Sequence, residues 1–202
     1  MIALVDYGIG NLRSVEKALQ AVGAKTCLTD RAEAILAAEK VVLPGVGAFG
    51  DGMVGLQMRG LIEPLKEVVR QGKPFLGICL GMQLLFEFSE EMGHHQGLGL
   101  LPGRVRRFPD VGLKIPQTGW NQLRFRFTSR LLSCIDSDSY AYFNHSYYCD
   151  AAVPSHVLAT TDYVLEYACI VGEGNLFGVQ FHPEKSQAVG LRFLRNFVEL
   201  EK

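Results

Sequence analysis

The sequence contains few cysteines, and they form no recognisable pattern. There are 5 among 202 residues, an odd number, and no Cys-x-x-Cys pair occurs. Neither a disulfide framework nor a zinc ribbon is therefore indicated. Thiols that stay reduced are typical of the cytosol, so we expect a cytoplasmic protein without a structural metal.

The sequence also lacks an excess of charge and a long apolar run. The 20 lysines and arginines nearly balance 21 aspartates and glutamates, for a formal net charge of -1. No strong field therefore attracts the chain to nucleic acid or anionic lipid. The apolar N-terminal run ends at Asp6 without a preceding basic segment, which argues against a signal peptide, and no run is long enough to span a bilayer. We expect neither a nucleic-acid partner nor a membrane.

The first half of the chain alternates between two kinds of apolar pattern. Short buried runs predict strands at residues 2–5, 25–28, 40–43 and 75–78. Helical periodicity predicts helices at residues 14–22, 32–38 and 61–69 and through Met82, Leu85 and Phe86. Such alternation is typical of a parallel sheet with helices on both faces.

The second half, from about Arg104, has strand-like segments separated by short turns. They lie at residues 105–108, 123–127, 140–148, 157–160, 168–171 and 177–181, followed by a closing helix at 191–200. We therefore predict an α/β fold with an open, mostly parallel central sheet flanked by helices. Additional antiparallel or mixed strands belong to its C-terminal half. No linker or repeat is visible, so residues 1–202 are interpreted as a single domain.

A turn that suits a nucleophile follows the fourth predicted strand. Residues 77–81 read Gly-Ile-Cys-Leu-Gly, which has the form Gly-x-nucleophile-x-Gly. In this form a strand turns sharply into a helix and presents the nucleophile at its tip. The helix N-terminus would favour the thiolate of Cys79, and the N–H of Leu80 would stabilise an oxyanion. The alternative is a buried cysteine between two packing glycines.

A histidine and a carboxylate follow another predicted strand. A cysteine nucleophile usually needs a histidine base, and the base usually needs a third group to orient it. His182 follows the apolar residues 176–181, and Glu184 lies two residues on, after the stiffening Pro183. A surface turn is the alternative, but Cys79 also ends a strand, and the ends of parallel strands share one rim. The adjacent His94 and His95 seldom reach one ion together, so we predict no metal site.

Two segments carry a family resemblance. Residues 74–83 read Pro-Phe-Leu-Gly-Ile-Cys-Leu-Gly-Met-Gln, and residues 178–186 read Gly-Val-Gln-Phe-His-Pro-Glu-Lys-Ser. With them the chain resembles the class I, or triad-type, glutamine amidotransferases. The resemblance implies that Cys79 attacks the side-chain amide of glutamine, that His182 gives a proton to leaving ammonia and then activates water, and that Glu184 orients His182. It implies no cofactor.

The resemblance also implies an oxyanion hole and a glutamine pocket. The loop at residues 44–47, Pro-Gly-Val-Gly, would supply a second N–H at Val46 or Gly47 beside that of Leu80. A peptide flip in this loop is expected to complete the hole when a partner binds its nucleotide, which would leave the isolated chain nearly inactive. Glutamine would be held by Gly47, Gln83, Glu91, His145, Ser146 and Tyr147, with Glu91 paired to its ammonium group. Each of these could equally be ordinary surface.

Further segments resemble a subgroup of the family that acts in histidine biosynthesis. They are residues 6–14, 43–49, 114–121 and 142–147. The resemblance implies a heterodimer with a (β/α)₈-barrel cyclase, which uses the ammonia to form imidazole glycerol phosphate and an aminoimidazole carboxamide ribonucleotide. Interface or signalling candidates are Asn11, Trp120, Asn121, Tyr142 and Lys185, although Trp120 could instead be core. The chain departs from many members at Gln117, where they have histidine, and at Asn144, where they have a small apolar residue.

Three alternatives stay open from the sequence. The first is the amidotransferase subunit of another synthase, such as one that makes anthranilate, GMP or pyridoxal phosphate. The second is a stand-alone cysteine hydrolase of similar fold. The third is a nucleotide-binding module built on Gly8 and Gly10, but Arg13 occupies the position of the third glycine in the Gly-x-Gly-x-x-Gly fingerprint.

Overall fold

A parallel sheet forms the N-terminal half of the molecule. The computed structural model describes residues 1–201. Its first four strands are β1 (Ile2–Val5), β2 (Thr26–Thr29), β3 (Lys40–Gly45) and β4 (Phe75–Cys79). They run parallel in the order β2-β1-β3-β4. The helices that connect them are α1 (Leu12–Ala21), α2 (Ala32–Ala37), α3 (Phe49–Met58) and α4 (Ile62–Arg70).

The C-terminal half extends this sheet with mixed strand directions. After the one-turn helix α5 (Leu80–Gln83) come β5 (Phe86–Ser89), β6 (His95–Gln96), β7 (Leu101–Arg107), β8 (Gln117–Gln122), β9 (Arg124–Phe125), β10 (Tyr140–His145), β11 (Tyr147–Ala151), β12 (Val157–Tyr163), β13 (Leu165–Glu173) and β14 (Leu176–Val179). The helix α6 (Gln187–Glu199) closes the fold, and three 3₁₀ turns lie at Arg130–Leu132, Pro154–His156 and Pro183–Lys185.

The strands form one large sheet and one small one. The large sheet runs β2-β1-β3-β4-β14-β13-β11-β7-β5-β6, and β12 pairs with β13 and β9. Its first five strands are all parallel, since β14 joins β4 in the same direction. From β13 onward most pairs are antiparallel. β8 and β10 form a separate antiparallel pair. The predicted α/β fold is confirmed, with its parallel centre, its flanking helices and its mixed C-terminal strands.

The central strands are buried on both faces, which explains their continuous apolar runs. Along β1, Ile2 and Leu4 belong to one hydrophobic cluster and Ala3 and Val5 to the other, because successive side chains point to opposite faces. Helices α1 and α6 contribute to the first cluster, and α3 and α4 contribute to the second. The sheet is therefore covered on both sides, and its strand ends are left as the accessible rim. None of the helices in residues 1–201 combines the length and the apolar character that a membrane span requires.

The prediction of a helix through Met82, Leu85 and Phe86 is correct for the first turn, which contains Met82, and wrong for Leu85 and Phe86. Helix α5 ends at Gln83, and Phe86 begins strand β5. The carbonyl oxygens of Leu84 and Leu85 accept hydrogen bonds from Leu98 N–H and Leu100 N–H, at 2.9 and 2.8 Å. A distant loop therefore takes the carbonyls that a longer helix would use.

The single strand predicted at residues 140–148 is also wrong, because the chain crosses between sheets there. His145 ends β10 opposite Gln117 of the small sheet, whereas Tyr147 begins β11 opposite Arg107 of the large sheet. Ser146 lies between the two strands, and its carbonyl accepts a hydrogen bond from Phe108 N–H at 3.1 Å. The crossing leaves residues 144–147 at the rim, beside the ends of β3, β4 and β14.

Candidate active site

The candidate nucleophile lies on a strained turn. Cys79 is the last residue of β4 and precedes α5, with φ of 55° and ψ of -110°. A positive φ is rare for a residue with a side chain and marks a turn that its surroundings enforce. The two flanking glycines are required sterically: a Cβ at Gly77 would lie 2.6 Å from the carbonyl oxygen of Gly81, and one at Gly81 would overlap the carbonyl of Leu43. The strand-turn-helix geometry predicted around Cys79 is therefore present.

The histidine and carboxylate that follow β14 form a buried pair. His182 Nδ1 lies 2.9 Å from Glu184 Oε1, and both side chains are almost completely buried. The turn between them is fixed, because Ser186 Oγ donates to the His182 carbonyl at 2.7 Å and His182 N–H donates to the Tyr142 carbonyl at 2.9 Å. Since Glu184 occupies Nδ1, Nε2 is the ring nitrogen left free for Cys79, which lines the same cavity and acts electrostatically on His182.

The electrostatic environment of His182 favours its protonated form. Burial lowers the pKa of His182, but hydrogen bonds and negative charge from Cys79 and Glu184 outweigh burial and raise this pKa to about 10. The result is a histidine that keeps its proton at neutral pH while it contacts a sulfur atom. Such an arrangement can stabilise a thiolate and can donate a proton to a leaving group.

These groups lie at the carboxyl ends of three neighbouring parallel strands. Gly45 of β3 is opposite Cys79 of β4, and Ile78 is opposite Val179 of β14. The loop after β3, the turn after β4 and the segment after β14 therefore converge on one point. Ligands of open parallel sheets bind in this position.

A cavity of about 300 Å³ opens at this point. It brings together most of the residues predicted from the sequence, namely Val46, Gly47, Cys79, Leu80, Gln83, Glu91, His145, Ser146, Tyr147, His182 and Lys185. Glu184 lies behind His182, outside the lining. Two lining residues, Pro116 and Asn144, were not predicted. Asn144 accepts a hydrogen bond from Thr118 Oγ1 at 3.1 Å.

The loop after β3 borders this cavity and is tied to Glu91. Gly47 has φ of 102°, a conformation that favours glycine. Glu91 Oε2 accepts a hydrogen bond from Phe49 N–H at 2.7 Å, at the start of α3. One oxygen of Glu91 is therefore engaged by the protein, while the carboxylate still faces the cavity. A side chain at Gly45 would overlap the buried hydroxyl of Tyr7.

The opposite side of the cavity contains a second buried histidine. His145 Nδ1 lies 2.8 Å from the Tyr147 carbonyl oxygen, and Nε2 lies 3.1 Å from the Tyr167 hydroxyl. That hydroxyl also lies 2.8 Å from Gln117 Oε1. Burial lowers the pKa of His145, the Tyr147 carbonyl opposes this, and the charge of His182 lowers the pKa further, to about 4. His145 is therefore neutral at pH 7, and its single ring proton lies on Nδ1, which donates to the Tyr147 carbonyl.

Three of the five interface candidates cluster beside the cavity. The Trp120 ring lies 6.0 Å from the Tyr142 ring, and Lys185 Nζ lies 5.7 Å from the centre of Tyr142. Trp120 is 46% exposed, so its alternative interpretation as a core residue is wrong. Of the five candidates only Lys185 belongs to the cavity lining. Asn11 precedes α1 without a capping side-chain bond, and Asn121 Nδ2 donates to the Asp162 carbonyl at 2.6 Å.

The family model of the class-I glutamine amidotransferases matches residues 3–200. The chain belongs to this family. The resemblance drawn from the two segments around Cys79 and His182 is thereby confirmed, and the amidotransferase is an enzyme of the glutaminase type.

The curated relatives of this amidotransferase share nearly its full length. The imidazole glycerol phosphate synthase subunit HisH of Moorella thermoacetica is 52% identical, with 98% of this chain and 94% of the relative aligned. The HisH subunit of Desulfitobacterium hafniense is 50% identical, with 98% and 93% aligned. That of Syntrophotalea carbinolica is 49% identical, with 99% and 100% aligned.

Solved structures with lower identity share the fold. A crystal structure described as a glutamine amidotransferase superposes with a TM-score of 0.77 at 18% identity, covering 99% of this chain and 100% of the other. The structure of PurLQS from Thermotoga maritima gives a TM-score of 0.74 at 20% identity, covering 97% and 94%. At these identities the similarity concerns the fold of the amidotransferase alone.

One contact of the sulfur was not predicted from the sequence. Gln180 Nε2 lies 3.7 Å from Cys79 Sγ, and the side chain is completely buried. Gln180 stands two residues before His182 in the segment that carries the family resemblance, so its proximity to the histidine could have suggested it. Among residues 1–201, no group of three or more His, Cys, Asp or Glu side chains is arranged to hold a metal ion.

Proposed function

We propose that this chain is the glutaminase subunit of an imidazole glycerol phosphate synthase. In this role it hydrolyses glutamine to glutamate and ammonia, and the ammonia passes to a cyclase subunit. The observation that carries the proposal is the contact series from Cys79 through His182 to Glu184 at the mouth of one cavity. The names of the relatives, aligned over 93–100% of their own lengths, support the choice of synthase.

The proposed reaction begins at Cys79. Its thiolate attacks the amide carbon of glutamine and forms a tetrahedral oxyanion. His182, held as imidazolium, gives its proton to the amide nitrogen, and ammonia leaves as the thioester forms. The neutral imidazole then takes a proton from water, which attacks the thioester and releases glutamate and the thiolate. Glu184 keeps Nε2 of His182 directed at the reacting atoms, because its carboxylate engages Nδ1.

The oxyanion is proposed to bind between two backbone N–H groups. Leu80 supplies one, since it follows the nucleophile and begins α5. The peptide at Val46 or Gly47 supplies the other. One lost oxyanion donor costs about 10²–10³ in rate. A change of this loop on binding of the partner would therefore gate the enzyme, and we expect the isolated chain to be nearly inactive.

The glutamine is proposed to lie along the cavity with its amino group near Glu91. Glu91 retains a carboxylate oxygen for the ammonium group, since among residues 1–201 only its Oε2 accepts a hydrogen bond, from Phe49 N–H. Gln83 donates both of its amide N–H groups within the protein, at 3.0 Å to the Tyr147 carbonyl and at 3.0 Å to Gln180 Oε1. Its own Oε1 is thus left to accept an N–H from the substrate. Gly47, His145, Ser146 and Tyr147 complete the proposed pocket.

The partner is proposed to be a (β/α)₈-barrel cyclase in a heterodimer. Ammonia that equilibrates with water at neutral pH becomes ammonium and is a poor nucleophile, so it must be transferred from a covered site. The exposed Trp120 and the Tyr142–Lys185 contact lie beside the cavity and support docking there. Asn11 and Asn121 are further interface candidates. We also propose that residues 1–202 act as one domain, need no cofactor and work in the cytoplasm.

Glutamate release from glutamine tests the proposal directly. It is measured for the purified chain alone and with the cyclase subunit and its nucleotide ligand, with Cys79→Ala as the loss variant and Cys134→Ala, an exposed thiol, as the matched control. We expect strong stimulation by the partner, abolished only by Cys79→Ala. Steady activity without a partner would instead favour a stand-alone hydrolase. Stimulation only by another synthase would assign the chain to that enzyme.

A further inference from the structure

A chain of two buried side-chain amides connects the Cys79 sulfur to strand β11. Gln180 Nε2 donates to Cys79 Sγ at 3.7 Å, and Gln83 Nε2 donates to Gln180 Oε1 at 3.0 Å. Gln83 Nε2 also donates to the backbone carbonyl of Tyr147 at 3.0 Å. Gln180 is 0% exposed and Gln83 is 5% exposed. The triad mechanism described above assigns no role to this series of two amides.

The direction of the amides follows from hydrogen-bond chemistry. A backbone carbonyl can only accept, so the group that Gln83 places against Tyr147 must be its NH₂. The same NH₂ faces Gln180, and Gln180 must therefore present its carbonyl oxygen to Gln83. Its own NH₂ is then left facing the sulfur. The Tyr147 carbonyl, through Gln83, thus determines that Gln180 presents a donor to Cys79.

An N–H group in this position forms a stronger hydrogen bond with the thiolate of Cys79 than with its thiol. A thiol is a weak acceptor, whereas a thiolate is a charged one, and hydrogen bonds to charged acceptors are about twice as strong as neutral ones. Gln180 is completely buried, so water does not compete for its amide. Its backbone is also fixed, because Gln180 N–H donates to the Cys169 carbonyl at 2.9 Å. The amide therefore favours the thiolate from a second side, independently of His182.

We propose that Gln180 is a hydrogen-bond donor to the nucleophile that favours the thiolate and holds the sulfur in place, and that Gln83 fixes its direction. The proposal rests on the proposed function, in which Cys79 is the nucleophile. It predicts that the amide acts on the charge state of the sulfur and on the turnover step more than on the affinity for glutamine.

The test measures the rate at which iodoacetamide alkylates Cys79 as a function of pH, because only the thiolate reacts. The rate is read from the Cys79 peptide by mass spectrometry on the isolated full chain, so neither glutamine nor a partner is needed. Gln180→Leu removes the donor at similar volume. We expect the midpoint of the alkylation profile to rise by roughly one pH unit, as for the loss of one hydrogen bond to a charged group.

A matched control separates this effect from the loss of any buried amide. Asn196 donates to the carbonyls of Leu131 and Ser133, at 2.9 and 2.7 Å, and is 7% exposed. Asn196→Leu is therefore expected to lower stability and leave the midpoint unchanged. In the complex with the cyclase, Gln180→Leu should reduce kcat about tenfold with little change in KM. An unshifted midpoint in folded Gln180→Leu would overturn the proposal.

A second variant decides the question if Gln180→Leu does not fold. Gln83→Met keeps Gln180 but removes the group that orients it, and a smaller rise of the same sign is expected. No shift in this variant would contradict the orienting role. The proposed function fails separately, if wild-type Cys79 reacts no faster than the exposed Cys134 or if Cys79→Ala still releases glutamate.

Discussion

The cavity has two sides, and each side contains one buried histidine. The two histidines differ in charge: His182 is protonated at neutral pH and His145 is neutral. On the strand-end side, His182 contacts Cys79 and Glu184, and its pKa rises to about 10. On the side formed by residues 144–147, His145 contacts the Tyr147 carbonyl and the Tyr167 hydroxyl, and its pKa falls to about 4. Burial lowers the pKa at both positions, so burial alone does not distinguish them.

The difference lies in the partners. A carboxylate and a sulfur that can carry charge stabilise the imidazolium of His182, whereas a carbonyl and a hydroxyl provide His145 with neutral hydrogen bonds only. His182 is consequently suited to proton transfer, whereas His145 is suited to a structural role in the lining of the cavity. Four substitutions test this contrast.

The largest effect is expected from Glu184→Gln, which removes the charge that distinguishes His182 from His145. The amide still fills the space but no longer fixes the tautomer or stabilises the imidazolium. We expect kcat for glutamate release in the complex to fall by roughly 10²–10⁴. We expect the alkaline limb of the pH profile to report the loss of the His182 proton, whose pKa is about 10, and to move to lower pH in the variant.

A second histidine–glutamate pair provides the control. His156 Nε2 lies 3.7 Å from Glu173 Oε2, and Glu173 is 59% exposed. Glu173→Gln should leave kcat unchanged. If Glu184→Gln also kept kcat within about threefold of the wild type, the carboxylate would have no orienting role.

The next effect concerns the pH dependence of stability and depends on His145. Its pKa is about 4 in the folded chain and 6.5 when unperturbed, so the unfolded chain binds more protons between these pH values. The contribution of neutral His145 to the free energy of unfolding is fully present above pH 6.5. It decreases by roughly 3 kcal/mol as the pH falls toward 4. Urea unfolding at pH 7 and pH 4.5 measures the loss.

The matched variant for this measurement is His145→Gln, which cannot titrate but can still donate to the Tyr147 carbonyl. Carboxylates elsewhere contribute equally to both proteins, so the difference isolates position 145. We expect the wild type to lose more free energy of unfolding than the variant on acidification. Equal losses would mean that His145 is not held neutral by its surroundings.

A smaller effect is expected from Tyr167→Phe, which removes a neutral partner of His145. The change removes the hydroxyl that donates to Gln117 Oε1 and contacts His145 Nε2, and we expect a cost of about 1–3 kcal/mol in the free energy of unfolding. The activity per folded molecule should change little, because this side does not transfer protons. Tyr163→Phe, whose hydroxyl bonds the Lys114 carbonyl near the surface, should cost less. A large loss of kcat in Tyr167→Phe would contradict the claim that the His145 side of the cavity takes no part in proton transfer.

The smallest effect is expected from Tyr7→Phe, which represents the case of no partner at all. Within the described part of the chain, the Tyr7 hydroxyl is buried and makes no hydrogen bond. Burial raises its pKa, and the charge of Cys79 adds to this. Because no bond is lost, the variant should be as stable as the wild type or more stable by up to about 1 kcal/mol. A marked destabilisation, measured by thermal unfolding, would show that the hydroxyl has an essential partner.

The sequence predicted the parallel half of the fold well and the antiparallel half less well. Strands such as β1 and β4 are buried on both faces and leave continuous apolar runs. Helix α3 was not predicted, because it contains Gly50, Gly52 and Gly55, and glycine disfavours helices. Gly55 is nevertheless required, since a Cβ there would lie 2.5 Å from the Tyr7 carbonyl oxygen. Close packing between distant segments has no signature in local composition.

The candidate site was predictable where residues are neighbours in sequence and not where they meet by folding. Cys79 and its glycines stand together, as do His182 and Glu184. The low pKa of His145 depends on its burial and on the charge of His182, which is distant in sequence, and its Nε2 contacts Tyr167, 22 residues away. The approach of Gln180 to the sulfur spans 101 residues. Only the three-dimensional arrangement of β4, β10, β13 and β14 brings these contacts together.

Covalent trapping of the nucleophile tests the central claim most directly, namely that the strand-end side activates Cys79 toward glutamine. The probe is a glutamine analogue with a chloroketone in place of the amide, incubated with the wild type and with His182→Gln, followed by peptide mapping. We predict one label, on Cys79, that glutamine prevents and that forms much more slowly in the variant. Labelling spread over Cys134 and other thiols, or labelling of Cys79 that glutamine does not prevent, would contradict the account.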